Sequence, residues 1–440
     1  EFYIAGRSLA FLPLFGTYLA TYFSGVSMMG YPGDLYSVGI AALWLPVFWA
    51  IGTILLILVA LKFYEYNITT PTDFMRAKYG SKTLEVLVAI TTIVALLFGL
   101  TVQFVVMGIT WSVVLGRPFS EGVIITAIVI AVIVAIGGLV SVAYSDIVKA
   151  LVFVIAIIVG AIYTFTSFGS PMKVLDSVSQ IKPELLDPLR GYTIPGLIML
   201  FFVWSLGVAV HPQYLQRITA ARNLRIALAQ YTAWFILAII YFLLFYLAMA
   251  SRVALPELPK GYTKDYALVL YFRDYTPSII FALWCAGLVA AALSTTDSVI
   301  QLSTSIFNIN GVRVLKPDIS GETLLRLGRI LPFVLVALVA IFAIYRPAPV
   351  VYLGGYAWGL LAIGYFAPVF LGLYYLASRE AAILSVLIGW ALFIAAQTLS
   401  FLKMWPYPVP PVALGVIAST VTYLVLAPIT SKRGSTTSTR

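Results

Sequence analysis

The sequence predicts an all-α polytopic membrane protein of about twelve transmembrane helices, arranged as two five-helix units of opposite direction. The first observation is composition: the 440 residues are 62% hydrophobic and 10% charged, with mean hydropathy +1.02, against about 25% charged in soluble domains. The second is the recurrence, end to end, of apolar runs long enough to cross about 30 Å of hydrocarbon, which takes about 20 residues each. These runs are continuous rather than alternating, so a β-barrel is excluded. The third is that the first and sixth runs are interrupted by helix-breaking residues.

In order, the spans fall near 9–36, 39–61, 84–112, 121–139, 145–167, 193–211, 226–250, 277–306, 327–345, 350–376, 381–402 and 411–429. An even number places both termini on one side. Assigning loops alternately puts sixteen of the 27 Lys and Arg residues on that side and ten on the other, with Lys149 inside a span. The positive-inside rule makes the richer side cytoplasmic. The net charge of +10 is scattered over these short loops, which excludes a nucleic-acid partner. The lone Cys285 lies within a span and is read as packing. The opening "EFYIAGRSLAFLPLFGTYLA" has neither a basic start nor a small-residue cleavage site, and its lack of Met reads as a processed or truncated beginning. "NIT" at Asn67 fits a glycosylation acceptor but falls on the cytoplasmic side.

The first span carries Ser24, Gly25 and then "GYPGD" (30–34); the sixth carries Gly207 and then "HPQ", whose Pro212 donates no backbone bond. A bilayer tolerates such breaks only where the freed backbone is buried or lines a cavity. Spans one and six lie five apart, an odd offset that reverses direction. A five-span unit repeated upside down brings the two breaks face to face at mid-membrane. The chain, one membrane domain over 1–440, then divides into a first repeat (9–167), a second, inverted repeat (193–376), two accessory helices (381–429) and a cytoplasmic tail (430–440). The glycine-rich tenth span, "YLGGYAWGLLAIGYFAP", is expected to bend as a gate.

The eighth span passes without an intervening charge into "AALSTTDSVIQLSTS" (291–305). Residues three and four apart share a helix face, so the Ser294 and Thr295 hydroxyls sit near the Ala291 carbonyl. Three neutral oxygens at one point suit a hard monovalent cation that must also leave, and sodium is the natural candidate. Unwound backbone of the first span would supply the remaining oxygens. Asp297, one turn past Ser294 and beside Ser298, costs about 2.5–3.5 kcal/mol near the bilayer centre and needs a partner. A second acid, Asp146, opens span five in "SVAYSDIVKALVFV" with Lys149 three residues on; the two read as a local ion pair as readily as a functional site.

At this point the residues resemble the sodium:solute symporter family, over nearly the whole chain. The carriers are "FYIAGRSL", "FSGVSMMGYPGDLYSVG", "SDIVKA", "HPQYLQRITAARN" and "AALSTTDS". The resemblance implies a LeuT-like inverted repeat, alternating access, and Na+-coupled uptake of a small organic solute rather than an enzyme. It implies a sodium site made by the backbone oxygens of Ala20, Phe23 and Ala291 and the hydroxyls of Ser294 and Thr295. It also implies a possible second cation site at Asp146, Ser294, Asp297 and Ser298, although members that have it carry Ser where this chain has Asp297. Two more departures stand out. Proline-transporting members have an acid where an ungapped match puts Tyr22, and Lys149 replaces the usual Gln. A lysine here can stand in for a cation, which leaves proton coupling through Lys149 and Asp146 as an alternative.

Ser27, Pro46, Trp49 and Gly355 match positions where sugar-carrying members use polar side chains. Sugar hydroxyls would lose partners at about 1–3 kcal/mol each, so a sugar-type symporter is the disfavoured alternative. "TVQF" (101–104) and "GYPGDLYSVG" are most similar to the pantothenate and monocarboxylate branches. The expected solute is a monocarboxylate, pantothenate or an amino acid, in a site lined by Tyr22, Ser24, Ser27, Met28, Gln103, Trp204 and Tyr356. With no arginine in a mid-membrane span, a carboxylate would be held by backbone N–H groups at the helix breaks. His211, the only histidine, is expected to pack or hydrogen-bond beside Pro212, with pH sensing or gating as the alternative. Arg217, Arg222 and Arg225 are read as topology anchors.

No GxxxxGK[ST], HExxH or Cys cluster occurs, which argues against ATP drive and metalloenzyme chemistry. A sodium gradient suffices. One charge crossing about 100 mV gains about 2.3 kcal/mol and a tenfold gradient about 1.4; together they support roughly 500-fold accumulation. A channel would carry continuous polar faces on several helices, and a sensor a soluble output domain. Here polar residues gather at the breaks, and "SKRGSTTSTR" reads as a short disordered basic tail. The expected partners are the solute, the sodium ion and the lipid bilayer of the plasma (cell inner) membrane, with both termini cytoplasmic; a monomer suffices.

Overall fold

Apolar runs of this length have one stable form in hydrocarbon, the helix, which pairs its backbone polar groups internally. The computed structural model describes residues 7–134, 139–345, 348–407 and 410–435. Among the described residues, ten helical runs are long and apolar enough to cross a membrane. One of them, Val26–Phe63, holds parts of two expected spans, which are divided at Gly39, whose φ of 71° suits glycine alone. The shorter Phe119–Ile133 is the fourth expected span, and Phe11–Tyr22 is the first half of the first.

In chain order, α1 (Phe11–Tyr22) and α2 (Tyr31–Val38) make the first span, followed by α3 (Trp44–Phe63), α4 (Lys82–Leu115), α5 (Phe119–Val134) and α6 (Leu139–Phe168). The sixth span is α7 (Ile194–Ala209) with α8 (Pro212–Ala220), followed by α9 (Ala233–Ala254), α10 (Ser278–Ile306), α11 (Gly321–Tyr345), α12 (Val350–Tyr365), α13 (Arg379–Phe401) and α14 (Val412–Ser435). The tail expected from residue 430 is thus helical through Ser435. Residues 436–440, and 135–138 at the expected end of the fourth span, lie outside the described residues.

Both breaks are present. Phe23 (φ −94°, ψ 90°) leaves helical backbone at the end of α1. "GYPGD", expected to share that break, is helical instead: it closes a wide π-type turn over Val26–Gly30 and continues into α2, with Pro32, which donates no backbone bond, just past the wide turn. The sixth span breaks at His211 (φ −60°, ψ 121°), and Pro212 starts α8. The tenth span does not bend at its glycines. Gly359 lets α12 approach Val412 more closely than a Cβ would allow, and a Cβ at Gly354 or Gly364 would be tight against Trp204 or Thr91; α geometry is lost only at the wide turn Phe366–Leu371 around Pro368.

At the centre, α1 packs against α6 and α10, which also pack against each other. A backbone bridge joins the approaches to the two broken spans: Leu9 N–H donates to Ala220 O at 3.2 Å and Arg222 N–H to Leu9 O at 3.0 Å. Each end of the bundle has a polar tie. At one end, Asn310, in the wide turn that ends α10, donates to Asp73 Oδ1 at 2.6 Å and Glu85 Oε1 at 2.8 Å. At the other, Lys264 Nζ, in the connection after α9, lies 2.5 Å from Asp34 Oδ1 of α2.

Candidate functional site

A helix that stops inside a bundle leaves its last carbonyls without intrahelical partners. α1 stops at Tyr22, and the Ala20 carbonyl oxygen accepts a hydrogen bond from Ser294 Oγ of α10 at 2.8 Å. The same hydroxyl contacts Ala291 O at 2.9 Å, and Thr295 Oγ1 reaches that carbonyl at 3.5 Å. Four of the five residues expected at one point, Ala20, Ala291, Ser294 and Thr295, are thereby brought together and buried. Phe23 lies at the break itself, its ring stacked on Phe153 of α6. The arrangement gathers neutral oxygens from two helices at one locus, the donor chemistry that suits a weakly held monovalent cation.

The acids expected at a second locus also converge, but the chain's own cations come with them. Lys149 Nζ donates to Asp297 Oδ2 at 2.6 Å and to Asp146 Oδ1 at 3.3 Å. Thr17 Oγ1 donates to Asp146 Oδ2 at 2.7 Å. Arg217 Nη2 donates to Thr17 Oγ1 at 2.8 Å, to Ser298 Oγ at 3.1 Å and to Thr21 Oγ1, and lies 3.8 Å from Asp146 Oδ2. Reading Arg217 as a topology anchor is therefore corrected. Every residue of α8 is buried, so its arginine points into the bundle and cannot snorkel to water. The only sequence signal was the break at Pro212, which turns the chain inward before Arg217.

Beside α1 lies a small cavity walled by Tyr22, Trp49, Trp204, Tyr214, Tyr241 and Trp358, with Ser24 and Ser27 at the break. Its free volume is ≈ 10 Å³, roughly one water. Tyr22 OH donates to Trp49 O at 3.1 Å, and Ser27 Oγ and Tyr241 OH are 3.2 Å apart. The Trp204 indole N–H is buried without a partner among the described residues.

Of the seven expected lining residues, Tyr22, Ser24, Ser27 and Trp204 line this cavity, and three do not. Met28 turns toward α10, with its Cε beside Gly287. Tyr356 faces α13, donating to Gln397 Oε1 at 2.6 Å. Gln103 is consumed by the break: its Oε1 accepts Gly25 N–H at 3.0 Å, and its Nε2 donates to Gly99 O at 3.3 Å. Several of the backbone donors expected to hold a carboxylate are likewise taken, Gly25 N–H among them. Val26 N–H goes to Ser24 Oγ at 3.3 Å, and Gln213 N–H goes to His211 Nδ1 at 3.3 Å. His211 therefore caps α8, packed against Tyr214 and Trp358, in keeping with its expected structural role.

The profile of the Sodium:solute symporter family matches residues 2–389. The Sodium/pantothenate symporter of Escherichia coli (strain K12) is 25% identical over 437 residues, covering 97% of this chain and 89% of that protein. The High-affinity proline transporter PutP of Bacillus subtilis (strain 168) is 23% identical over 392 residues, covering 85% and 81%. Among solved structures, a Na+-coupled sialic acid symporter in a substrate-bound outward-open state superposes with a TM-score of 0.77 at 17% identity, covering 97% of this chain and 92% of that one. MHP1, a nucleobase-cation-symport-1 family transporter, gives 0.62 at 13% identity, covering 98% and 95%. At these identities the structural likeness speaks to the LeuT-like fold.

Proposed function

The chain belongs to the sodium:solute symporter family, and on that footing we propose that it is a secondary transporter in which inward sodium flow drives uptake of one small organic solute by alternating access. The observation that carries the reading is the meeting of Ser294 Oγ with the freed Ala20 carbonyl, 2.8 Å apart. Sodium takes this locus through Ala20, Phe23 and Ala291 carbonyls and the Ser294 and Thr295 hydroxyls. A bound ion replaces the hydroxyl-to-carbonyl contact, and its positive charge holds α1 against α10. The solute binds at the adjoining aromatic cavity, which holds about one water in this closed form and must widen to admit it, so ion and solute order the same broken helix. That shared element is the source of coupling: each pays part of the ordering cost of the other.

The solute is a monocarboxylate, pantothenate or an amino acid. The pantothenate and proline relatives support that range. Because the Gly25, Val26 and Gln213 N–H groups at the breaks are engaged, the free Trp204 indole N–H is assigned as a polar contact to the solute, with aromatic faces supplying the rest. The host is the plasma membrane, with the Asn310 tie and both termini cytoplasmic. The test is counterflow in proteoliposomes with labelled pantothenate, proline and a panel of monocarboxylates and sugars, each with and without a sodium gradient. Sodium-stimulated counterflow of at least one carboxylate-bearing solute is expected; sugar transport alone, or transport indifferent to sodium, contradicts the reading.

A further inference from the structure

We propose that Lys149 is a tethered cation that permanently fills the second ion locus, so that this chain binds and transports a single sodium ion. The proposal rests on the sodium reading above and concerns a different set of residues. Lys149 comes from α6 and Asp297 from α10; the ammonium donates across the helix interface at 2.6 Å while holding Asp146, on its own helix, at 3.3 Å. It therefore bridges the two carboxylates that a second cation would need.

Charge counting leads the same way. Asp146 and Asp297 are the two anions of the cluster, and Lys149 and Arg217 the two cations. The cluster is neutral as built, with no net charge left to attract another ion. A sodium placed about 4 Å from the ammonium in a partly dry interior would meet repulsion that lowers its occupancy on the order of a thousandfold.

The path of the side chain is also specific. The Lys149 stem lies in a crevice between α4, α6 and α10 whose walls include Val148, Val152, Cys285, Val289 and Leu293. The apolar stem is packed along these walls and the ammonium turns inward to the acids, the inverse of ordinary snorkelling toward water. Asp297 Oδ1 is buried without a hydrogen-bond partner among the described residues. It is the oxygen a mobile cation would gain once the ammonium is removed. A neutral residue at 149 therefore leaves two carboxylates facing one arginine, an excess of one negative charge, and recreates an ion site.

The experiment is equilibrium binding of 22Na+ to the purified full-length protein, with thermal unfolding in NaCl against choline chloride as a second readout. Wild type is expected to bind one Na+ per chain. Lys149→Gln is expected to bind two, with a steeper rise of Tm with NaCl, and Lys149→Arg to remain at one. Two ions on the wild type, or one on a folded Lys149→Gln, overturns the proposal. If Lys149→Gln does not fold, the wild-type stoichiometry alone still decides. Thr295→Ala, which touches the first locus alone, separates this idea from the parent reading: loss of the wild-type ion supports that first locus. An undiminished wild-type ion in Thr295→Ala, alongside a gained ion in Lys149→Gln, rejects that locus while leaving the Lys149 assignment standing.

Discussion

The Ser294 hydroxyl reaches the Ala20 carbonyl at 2.8 Å although 274 positions separate the two residues in the chain. The contact closes a helix that ended early with a side chain from a helix that did not. Any movement that parts α1 from α10 must break it, so an ion bound at this point reports on, and biases, the position of the broken helix.

Arg217 should be a stability residue as well as a neighbour of the ion locus. It joins α8 to Thr17 and Thr21 of α1, to Ser298 of α10 and to Asp146 of α6. Removing one partner of a buried charge pair costs about 3–5 kcal/mol. Arg217→Ala is expected to lower Tm in detergent by many degrees, with Arg217→Lys recovering part of the loss. Differential scanning fluorimetry checks it, and an unchanged Tm for Arg217→Ala would show that the network carries no stability.

Trp204→Phe separates the ring from its N–H. The ring packs against Trp49 and Trp358, and phenylalanine retains much of that contact. Loss of one hydrogen bond to a charged solute corresponds to about 1.5–3 kcal/mol, or roughly 10- to 100-fold in KM. The expected result in uptake assays is a raised solute KM with the sodium requirement little changed. An unaltered KM would remove Trp204 from the solute site.

The two end ties should act in opposite directions. Asp34→Asn weakens the Lys264 contact and favours opening at that end, whereas Asn310→Ala releases Asp73 and Glu85 and favours the other. Labelling of a cysteine placed at Ser27, in a Cys285→Ala background, by an impermeant maleimide from each face of the membrane checks the pair. Opposite changes are expected; the same change in both contradicts gating by these ties. Burial opposes the charge on Lys264, but the Asp34 carboxylate outweighs it and raises the ammonium above its usual 10.5. A raised folded value means the contribution is complete below the ordinary lysine range and fades as pH rises through the folded value. The Asp34→Asn deficit in Tm should therefore shrink in strong alkali, as Lys264 loses its proton, and also in acid, as the Asp34 carboxylate gains one.

Much of this was legible from composition and breaks. Hydropathy located the helical segments, Pro212 marked the sixth break, and the three-and-four spacing of Ala291, Ser294 and Thr295 placed their oxygens together. What stayed hidden was orientation. Ile239 faces outward and Leu244 inward on one helix, yet both are equally apolar, so no moment separates lipid-facing from core-facing positions. For that reason the sequence puts Met28 and Tyr356 at a cavity they do not reach. Gln103 and the N–H groups of Gly25, Val26 and Gln213 look free in the sequence because their partners come from other helices or from turn geometry. Lys149 could be paired with Asp146 from spacing alone, but its closer bond to Asp297 crosses between α6 and α10, and that register is set by packing.

The most direct measurement of the central claim is the sodium concentration for half-maximal solute uptake in proteoliposomes containing wild type, Ser294→Ala or Thr295→Ala. Loss of one oxygen ligand, at about 1–2 kcal/mol, predicts a rise of roughly 5- to 30-fold in each variant, with maximal uptake partly restored at high sodium. Wild-type sodium dependence in both variants would contradict a sodium site at this helix break.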